Sequence, residues 1–203
     1  MRRCIDAAVA AVAVLVCAPV LAVIAATLRH RQGPPAFFRQ SRLGRDGRPF
    51  DLWKFRTMTD ELSPDGSLLP DVERLTPLGR WLRSTSLDEL PELWNVLRGN
   101  MSLVGPRPLP VAYRERFSLT EERRMEVRPG LTGWAQINGR NTVDWDERLA
   151  LDVWYVDHRS LWLDLRILVR TVGVVLSRQG VTAEGSATMP ELRPMKNAAP
   201  GTR

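Results

Sequence analysis

The chain has 203 residues, of which 44% are apolar, so one globular domain with a small appendage is the expected organisation. Its net charge of +6 favours an anionic partner: a phosphorylated substrate, an acidic lipid or a nucleic acid. With only two histidines and two cysteines, at positions without metal-ligand spacing, the composition argues against a histidine-centred metal site, a histidine-containing triad and a disulfide framework.

The first element is an uncharged, apolar segment at residues 7–28, long enough to cross a bilayer as a helix. Three alternatives remain open for it: a cleaved signal peptide, a spanning helix, and a re-entrant hairpin that returns to the same side. Pro19 should kink or break the helix, because it removes a backbone hydrogen bond. Positive charge at both ends, from Arg2, Arg3 and Arg29, favours keeping both ends in the cytoplasm.

Three elements follow the apolar segment. Residues 37–58 predict a β-hairpin with its turn at residues 45–47. Residues 61–71, which contain proline, glycine and serine, predict a loop. Residues 76–83 predict a short helix with apolar side chains beside arginines, a pattern that fits an interfacial helix and a plain surface helix equally.

An acidic pair, Asp88-Glu89, comes next. Adjacent helical side chains point about 100° apart, so these two carboxylates should have different roles. One alternative is structural, since Ser86 and Glu89 have the spacing of a capping box. Pro91 conflicts with a helix that begins just after Ser86, so the helix should begin at Asp88 or later, with Asp88 at its N-cap or in its first turn.

A Gly-Pro-Arg-Pro turn at residues 105–108 follows the acidic pair. Its two prolines fix the backbone around Arg107, whose rigid, permanently charged guanidinium suits a phosphate; a stiff loop with an incidental arginine is the alternative. Basic groups around a carboxylate beside a membrane segment indicate phosphate chemistry, with Mg²⁺ as helper and Asp88 as the best ligand candidate. The further candidate phosphate-binding residues are Lys54, Arg56, Arg80 and Arg83.

The remaining segments complete a mostly helical prediction. Residues 115–127 predict a charged helix, and residues 145–155 and 161–178 predict two more. The last carries an apolar stripe, for which core packing is preferred over membrane contact: Leu161, Leu165, Leu168, Val172, Val175 and Leu176.

A glycine-punctuated loop at residues 128–140 is a candidate uridine site. Trp134 and Gln136 offer stacking and hydrogen bonding to a uracil, and a structural turn with a buried tryptophan is the alternative.

Taken together, the motifs resemble those of the bacterial sugar transferase family, in its compact, monotopic phosphoglycosyl transferase form. The resemblance covers residues 2 to about 189 and rests on five segments in order: FFRQSRLG, KFRTM, SLDELPELWNVLRGNMSLVGPRP, RPGLTGWAQINGRN and LDVWYV. It implies a sugar 1-phosphate transfer from a UDP-sugar to undecaprenyl phosphate, with Asp88 as nucleophile and Mg²⁺ ligand, Glu89 as its partner, an aspartyl-phosphosugar intermediate and release of UMP. It also favours the re-entrant form of the N-terminal segment, with a break at Pro19.

The resemblance sets the expected organisation. We expect a mostly α fold with a small β-hairpin (α+β) and interfacial amphipathic helices, comprising an anchor at residues 1–32, a catalytic domain at residues 33–189 and a flexible tail at residues 190–203. The expected location is the cytoplasmic face of the bacterial inner membrane, in contact with lipids, at the first membrane step of glycoconjugate or exopolysaccharide biosynthesis. The exposed amphipathic surface is compatible with a homodimer.

Two other classes of protein compete with this prediction. A secreted or periplasmic binding protein would use the N-terminal segment as a signal peptide. A nucleic-acid-binding membrane protein would explain the charge, but the sequence has no helix-turn-helix, zinc or RNA-binding signature, so no nucleic-acid partner is expected.

Overall fold

This computed structural model describes residues 2–138, 144–177 and Leu192. Helices dominate and two pairs of short strands complete the fold, which confirms the predicted mostly α architecture. The helices are α1 (Arg2–Gln32), α2 (Asp71–Arg74), α3 (Pro77–Ser84), α4 (Glu92–Arg98), α5 (Leu119–Glu122), α6 (Trp134–Asn138), α7 (Trp145–His158) and α8 (Leu161–Ser177). The strands are β1 (Phe37–Leu43), β2 (Pro49–Phe55), β3 (Ser102–Val104) and β4 (Gly130–Thr132).

The predicted hairpin is formed by the antiparallel strands β1 and β2. Its turn is at Arg45–Gly47, where Asp46 has a left-handed φ of 56°, a conformation that aspartate tolerates better than most residues. Strand β2 contributes Leu52 to one core cluster and Phe55 to another. Because Leu52 and Phe55, on either side of Lys54 in the strand, are anchored in the core, β2 holds Lys54 in a fixed place.

Helix α1 is, by length and composition, the one helix within the described ranges that could cross a membrane. The helical conformation continues through Pro19, so the predicted break is not confirmed. Around this proline, residues 15–20 are exposed apart from Cys17. The middle of α1 therefore presents an apolar surface that the domain does not cover.

The N-terminal half of α1 is fixed to the domain by two charged side chains. Arg3 donates hydrogen bonds to the carbonyls of Val96, at 2.7 Å, and Leu97 at the end of α4. Asp6 accepts a hydrogen bond of 2.8 Å from the Ser102 hydroxyl at the start of β3. The N-terminal end of α1 therefore lies against α4 and β3.

The C-terminal half of α1 is fixed to the same domain. Ile24 and Leu28 are buried in the core cluster that also contains Phe55. At the end of the helix, Gln32 donates a 2.9 Å hydrogen bond to the Thr76 hydroxyl. Both ends of a helix of 31 residues, about 46 Å long, thus contact one domain.

The segment after the hairpin matches the prediction closely. Residues 61–70 form no helix or named strand, and the short helix α3 follows. The Thr76 hydroxyl caps α3 by accepting a hydrogen bond from the Gly79 amide. Leu82 is fully buried while Trp81 is exposed, so α3 is amphipathic.

The prediction of a single charged helix at residues 115–127 is wrong. The backbone is extended at Phe117, and Ser118 starts a new helix with a capping box that includes Glu121. These local hydrogen bonds end one segment and begin the next. The region therefore consists of a 3₁₀ turn, a short helix and a second 3₁₀ turn: Val111–Arg116, α5 and Arg123–Glu126.

The predicted loop at residues 128–140 contains strand β4 and helix α6, while residues 139–140 lie outside the described part of the chain. Strands β3 and β4 are parallel and pass very close together. A Cβ atom on Gly130 would lie 2.0 Å from the Gly105 amide nitrogen, and one on Gly133 would lie 2.1 Å from the Gly105 carbonyl oxygen. The glycines are therefore needed for this close approach.

Helices α7 and α8 confirm the two predicted C-terminal helices, but core packing is wrong for much of the apolar stripe on α8. Leu161, Leu165 and Val172 are exposed, and only Leu168 packs against the core as predicted, while Val175 is half-buried and the Leu176 side chain is not described. The buried residues of α8 are Leu163 and Ile167.

Two polar contacts explain how α8 is oriented. Asp164 accepts a 2.7 Å hydrogen bond from the Tyr155 hydroxyl, and Thr171 shares one of 2.7 Å with Thr132. Asp164 and Thr171 lie seven positions apart on α8, so they are on the same face of the helix, which faces the domain. The exposed apolar stripe consequently faces away from the domain.

Of the predicted tail, only Leu192 is within the described residues. It is buried between Leu109 and Leu149, and its carbonyl accepts a 2.7 Å hydrogen bond from Arg116. The prediction of a flexible tail otherwise falls outside the described residues.

Candidate active site

The acidic pair lies in a short 3₁₀ turn, Leu87–Glu89, between α3 and α4. Ser86 has a left-handed φ of 57° and its side chain caps nothing, so the capping-box alternative is wrong. Helix α4 begins only at Glu92, after Pro91, which supports a late helix start but does not place Asp88 at its N-cap. The turn directs the two carboxylates to different surroundings.

Glu89 is bound by two cations from different parts of the chain. Its Oε1 atom accepts hydrogen bonds from Lys54 Nζ at 2.6 Å and from Arg107 Nη2 at 2.7 Å. Burial alone would raise the pKa of Glu89, but Arg107 and Lys54 outweigh it and hold that pKa well below its ordinary value. Glu89 is therefore an ionised anchor for both cations.

Asp88 differs from Glu89 in having no such partner. It is 8% exposed, and its carboxylate forms no hydrogen bond or short ion pair within the described part of the chain. Burial raises the pKa of Asp88 to about 6, and the neighbouring negative charge of Glu89 adds to the shift. A buried carboxylate without partners is destabilised, which makes it reactive toward an electrophile or a cation.

Glu92 is a third carboxylate of the site, which the sequence analysis missed. It is 3% exposed, in the first turn of α4, and its Oε1 atom lies 3.1 Å from Lys54 Nζ. Burial raises the pKa of Glu92 to about 7, although Lys54 opposes the shift. The spacing Glu89-x-x-Glu92 could have indicated that both side chains reach one cation.

The loop that carries Arg107 is fixed from two sides. On one side, the Gly130 amide of β4 donates a 2.9 Å hydrogen bond to the Pro106 carbonyl. On the other side, Arg124 donates 2.7 Å hydrogen bonds both to the Arg107 carbonyl and to Asp152. Arg124 and Asp152 are almost fully buried, so the sequence-predicted phosphate ligand rests on an internal ion pair that sequence reasoning did not identify.

The other predicted basic residues are not all brought to the acidic pair. Arg83, on α3, donates a 3.0 Å hydrogen bond to the Thr57 hydroxyl and is close enough to lower the pKa of Asp88. Arg80 is exposed one turn earlier. Arg56 binds the C-terminal end of α1, donating to the carbonyls of Gln32 and Gly33.

The candidate uridine residues lie on α6, which follows the β4 strand that supports the Arg107 loop. The Trp134 ring stacks on Trp154 with centroids 4.7 Å apart. Gln136 donates a 3.2 Å hydrogen bond to the Leu131 carbonyl, while its Oε1 atom is buried with no hydrogen-bond partner found within the described ranges. No described contact joins either side chain to Asp88, so their uridine contact stays a prediction.

A Mg²⁺ ion shared with a substrate fits the residues of this site. Among the described residues, no group of three or more histidine, cysteine, aspartate or glutamate side chains could hold a metal by itself. Mg²⁺ commonly binds through one or two carboxylates together with substrate phosphates. The unpartnered Asp88 carboxylate fits that arrangement.

Comparisons with known proteins identify the family of this chain. The bacterial sugar transferase family matches residues 1–178. The uncharacterized sugar transferase EpsL of Bacillus subtilis is 51% identical over 180 residues, covering 88% of this chain and 89% of that protein.

Relatives with named activities are 40–42% identical to this chain over the aligned residues. A UDP-glucose:undecaprenyl-phosphate glucose-1-phosphate transferase of Caulobacter vibrioides is 42% identical over 191 residues, covering 87% of this chain and 70% of that protein. An undecaprenyl-phosphate galactose phosphotransferase of Salmonella typhimurium is 40% identical over 190 residues; the match covers 82% of this chain but only 40% of that protein. The chain belongs to the bacterial sugar transferase family.

Proposed function

We propose that this protein transfers a sugar 1-phosphate from a UDP-sugar to undecaprenyl phosphate, with Asp88 as the nucleophile. The observation that carries the proposal is the contrast within the acidic pair. Glu89 holds Lys54 and Arg107, while the adjacent Asp88 carboxylate is buried and unpartnered. The names of the relatives supply the substrate class, since they specify undecaprenyl phosphate as acceptor and glucose or galactose as the sugar.

In the first half-reaction, an Asp88 carboxylate oxygen attacks the phosphorus that bears the sugar. The bond from this phosphorus to the bridging oxygen breaks, and the electron pair leaves with UMP. Arg107 and Lys54, both bound to Glu89, are available to offset the negative charge of the diphosphate, and Arg83 adds positive charge near Asp88. The product is an aspartyl-phosphosugar.

In the second half-reaction, a phosphate oxygen of undecaprenyl phosphate attacks the same phosphorus. The bond to Asp88 breaks, its carboxylate is regenerated, and a polyprenol diphosphosugar is released. Mg²⁺, held by Asp88 and the donor phosphates, would supply charge neutralisation.

The proposal is tested by UMP release from a panel of UDP-sugars, using detergent-solubilised protein with Mg²⁺ and undecaprenyl phosphate. We expect one donor or a small group of donors to release UMP, with sustained turnover only when the lipid acceptor is present. Replacing undecaprenyl phosphate by a non-phosphorylated polyprenol is the matched control. No release from any donor by folded protein would contradict the proposal.

We further propose that α1 is re-entrant, with both ends on the cytoplasmic face of the inner membrane. A helix that spans the bilayer would carry Arg3 and Asp6 to the opposite side from Gln32. In this fold all three side chains are hydrogen-bonded to one domain, while the apolar surface around Pro19 is uncovered. A re-entrant α1 can bury this surface in lipid without breaking those contacts.

The native cysteines provide a test of this topology. Cys4 is exposed near the N-terminal end of α1, and Cys17 lies in its apolar middle. In a Cys17→Ser variant, we expect an impermeant maleimide to label Cys4 in inverted membrane vesicles but not in intact spheroplasts. Labelling in spheroplasts alone would mean that α1 spans the membrane, and a Cys4→Ser variant reports the background.

The exposed face of α8 is proposed as a second membrane contact. Trp162 is 74% exposed, and Val169 lies on the same face, which exposed arginines Arg166 and Arg170 border. An ion pair of 3.6 Å between Arg2 and Asp164 joins the start of α8 to the start of α1. The two helices are thereby joined at their N-terminal ends.

This contact predicts the depth of one tryptophan. In liposomes that contain brominated lipids, we expect Trp162→Phe to remove a larger share of the quenchable fluorescence than Trp145→Phe. Trp145 is the control because its ring packs edge-on against Tyr113, with centroids 5.9 Å apart. Equal losses for the two variants would contradict insertion of the α8 face.

A further inference from the structure

Glu92 is a buried carboxylate that the proposed reaction does not use. It lies one helical turn after Glu89, and both side chains reach the same atom, Lys54 Nζ, at 3.1 and 2.6 Å. Two carboxylates on one ammonium are more than local charge balance requires, because Arg107 already pairs with Glu89. The positive charge of Lys54 is therefore shared between the carboxylates of Glu89 and Glu92.

The position of Glu92 is fixed independently of Lys54. Asn95, one turn further along α4, donates a 2.7 Å hydrogen bond to the Asp51 carbonyl and accepts one of 3.1 Å from the Trp53 amide. These bonds lock α4 onto β2 beside Lys54. The backbone of Glu92 is therefore held beside the strand that carries the ammonium.

The charged groups facing Glu92 come from four other parts of the fold. Lys54 is on β2, Glu89 is in the 3₁₀ turn, Arg107 is in the Gly-Pro-Arg-Pro loop and Arg42 is on β1. Arg42 is itself in an unfavourable place, since burial and Arg107 lower its pKa to about 10. Protonation of Glu92 thus changes by one unit the net charge of a cluster that also contains Lys54, Arg107, Arg42 and Glu89.

We propose that Glu92 is a positioning residue that shares the Lys54 ammonium with Glu89, and so sets how much positive charge the site offers to the diphosphate of the donor. With Glu92 neutral, Lys54 and Arg107 together face Glu89 and the donor. With Glu92 ionised, part of the Lys54 charge is turned inward, away from the donor. This inference rests on the proposed function, because it takes the donor phosphates to bind at Lys54 and Arg107.

The proposal predicts a pH dependence of donor affinity. Burial places the Glu92 transition at about pH 7, and ionisation adds negative charge beside an anionic ligand. We expect the half-saturating UDP-sugar concentration of the wild-type protein to rise about tenfold between pH 6 and pH 8.5. In Glu92→Gln, which keeps the shape and an oxygen for Lys54, the rise should be much smaller, because only Asp88 still titrates in this range.

The experiment is single-turnover UMP release without lipid acceptor. Omitting the acceptor matters because a phosphate monoester titrates with a pKa near 6, in the same range. Asp88 titrates in both proteins, so the comparison isolates Glu92. Glu61→Gln, an exposed change in the loop, is the matched control and should follow the wild type.

Three outcomes are distinguishable. A clearly smaller rise for Glu92→Gln than for the wild type supports the inference. Parallel profiles for the two proteins overturn it while leaving the transferase function intact. Absence of UMP release from the wild type overturns the proposed function, and the inference falls with it.

A measurement without substrate separates the charge effect from misfolding. Because the folded-state pKa of Glu92 lies above its ordinary value, the wild type should lose stability relative to Glu92→Gln as the pH rises from 5 to 8. The difference between their melting temperatures should grow by several degrees in favour of the variant. If Glu92→Gln does not fold, Glu92→Asp provides the test, because its shorter carboxylate reaches Lys54 less closely. Its half-saturating concentration should rise less with pH than that of the wild type, and an unchanged profile would overturn the positioning role.

Discussion

Replacing Asp88 by asparagine should reduce UMP release by about 10³-fold or more, because the variant retains the charge cluster but has no nucleophile. With a donor labelled in the sugar-bearing phosphate and no acceptor, the wild type should become radiolabelled and Asp88→Asn should not. The label should be lost when undecaprenyl phosphate is added. Equal release by Asp88→Asn would remove Asp88 as the nucleophile.

The same substitution should leave the fold intact. Burial raises the pKa of Asp88 to about 6, so at pH 8 the folded protein holds an unfavourable buried charge that asparagine lacks. We therefore expect Asp88→Asn to melt at the same temperature as the wild type or higher. Asp51→Asn, an exposed change on β2, is the control for both activity and stability.

The second large effect is expected at the buried ion pair beneath the Arg107 loop. Asp152→Asn would leave the Arg124 guanidinium, 3% exposed, without its compensating charge. Removing one partner of such a pair typically costs about 3–5 kcal/mol, and we expect a loss of this size in the free energy of unfolding. Denaturant unfolding in detergent micelles would measure it.

A neighbouring pair provides the matched control. Arg123 and Asp157 also form an ion pair, but each side chain is 42% exposed, so Asp157→Asn should cost far less stability than Asp152→Asn. Similar losses for the two variants would contradict the role assigned to burial.

A double variant distinguishes support of the loop from stability of the fold. Replacing both members by apolar residues, as in Arg124→Met with Asp152→Leu, should recover much of the lost stability. It should not recover UMP release, because the Arg107 carbonyl would still lack the hydrogen bond from Arg124. Full recovery of activity would show that the pair serves stability alone.

The elements that the sequence predicted correctly are those whose structure depends on interactions between residues close together in the chain. The hairpin turn at residues 45–47, the start of α3 at Thr76 and the two C-terminal helices depend on neighbouring residues, and all are found in the structure. The same is true of the acidic pair and the Arg107 loop as candidate site elements, which the fold joins through Glu89.

The remaining features depend on contacts between distant residues. The orientation of α8 is set by Asp164 and Thr171, which its apolar pattern does not reveal, since apolar residues occur on more than one face. The Arg124–Asp152 pair joins residues 28 positions apart, and no spacing rule connects them. Arg56 was predicted as a phosphate ligand from its basic side chain and its place at the end of the hairpin. Only the fold shows that it binds the end of α1 instead.

The attachment of Arg3 and Asp6 to residues 96–103 has a consequence for biosynthesis. The ribosome completes α1 about 70 residues before Ser102, which corresponds to roughly 4–14 s at a synthesis rate of about 5–20 residues per second. During this interval the newly made helix has no domain against which to place its first turn. Under the proposed topology, the lipid alone retains the nascent N-terminus, and its docking onto α4 and β3 is a late event of cotranslational folding.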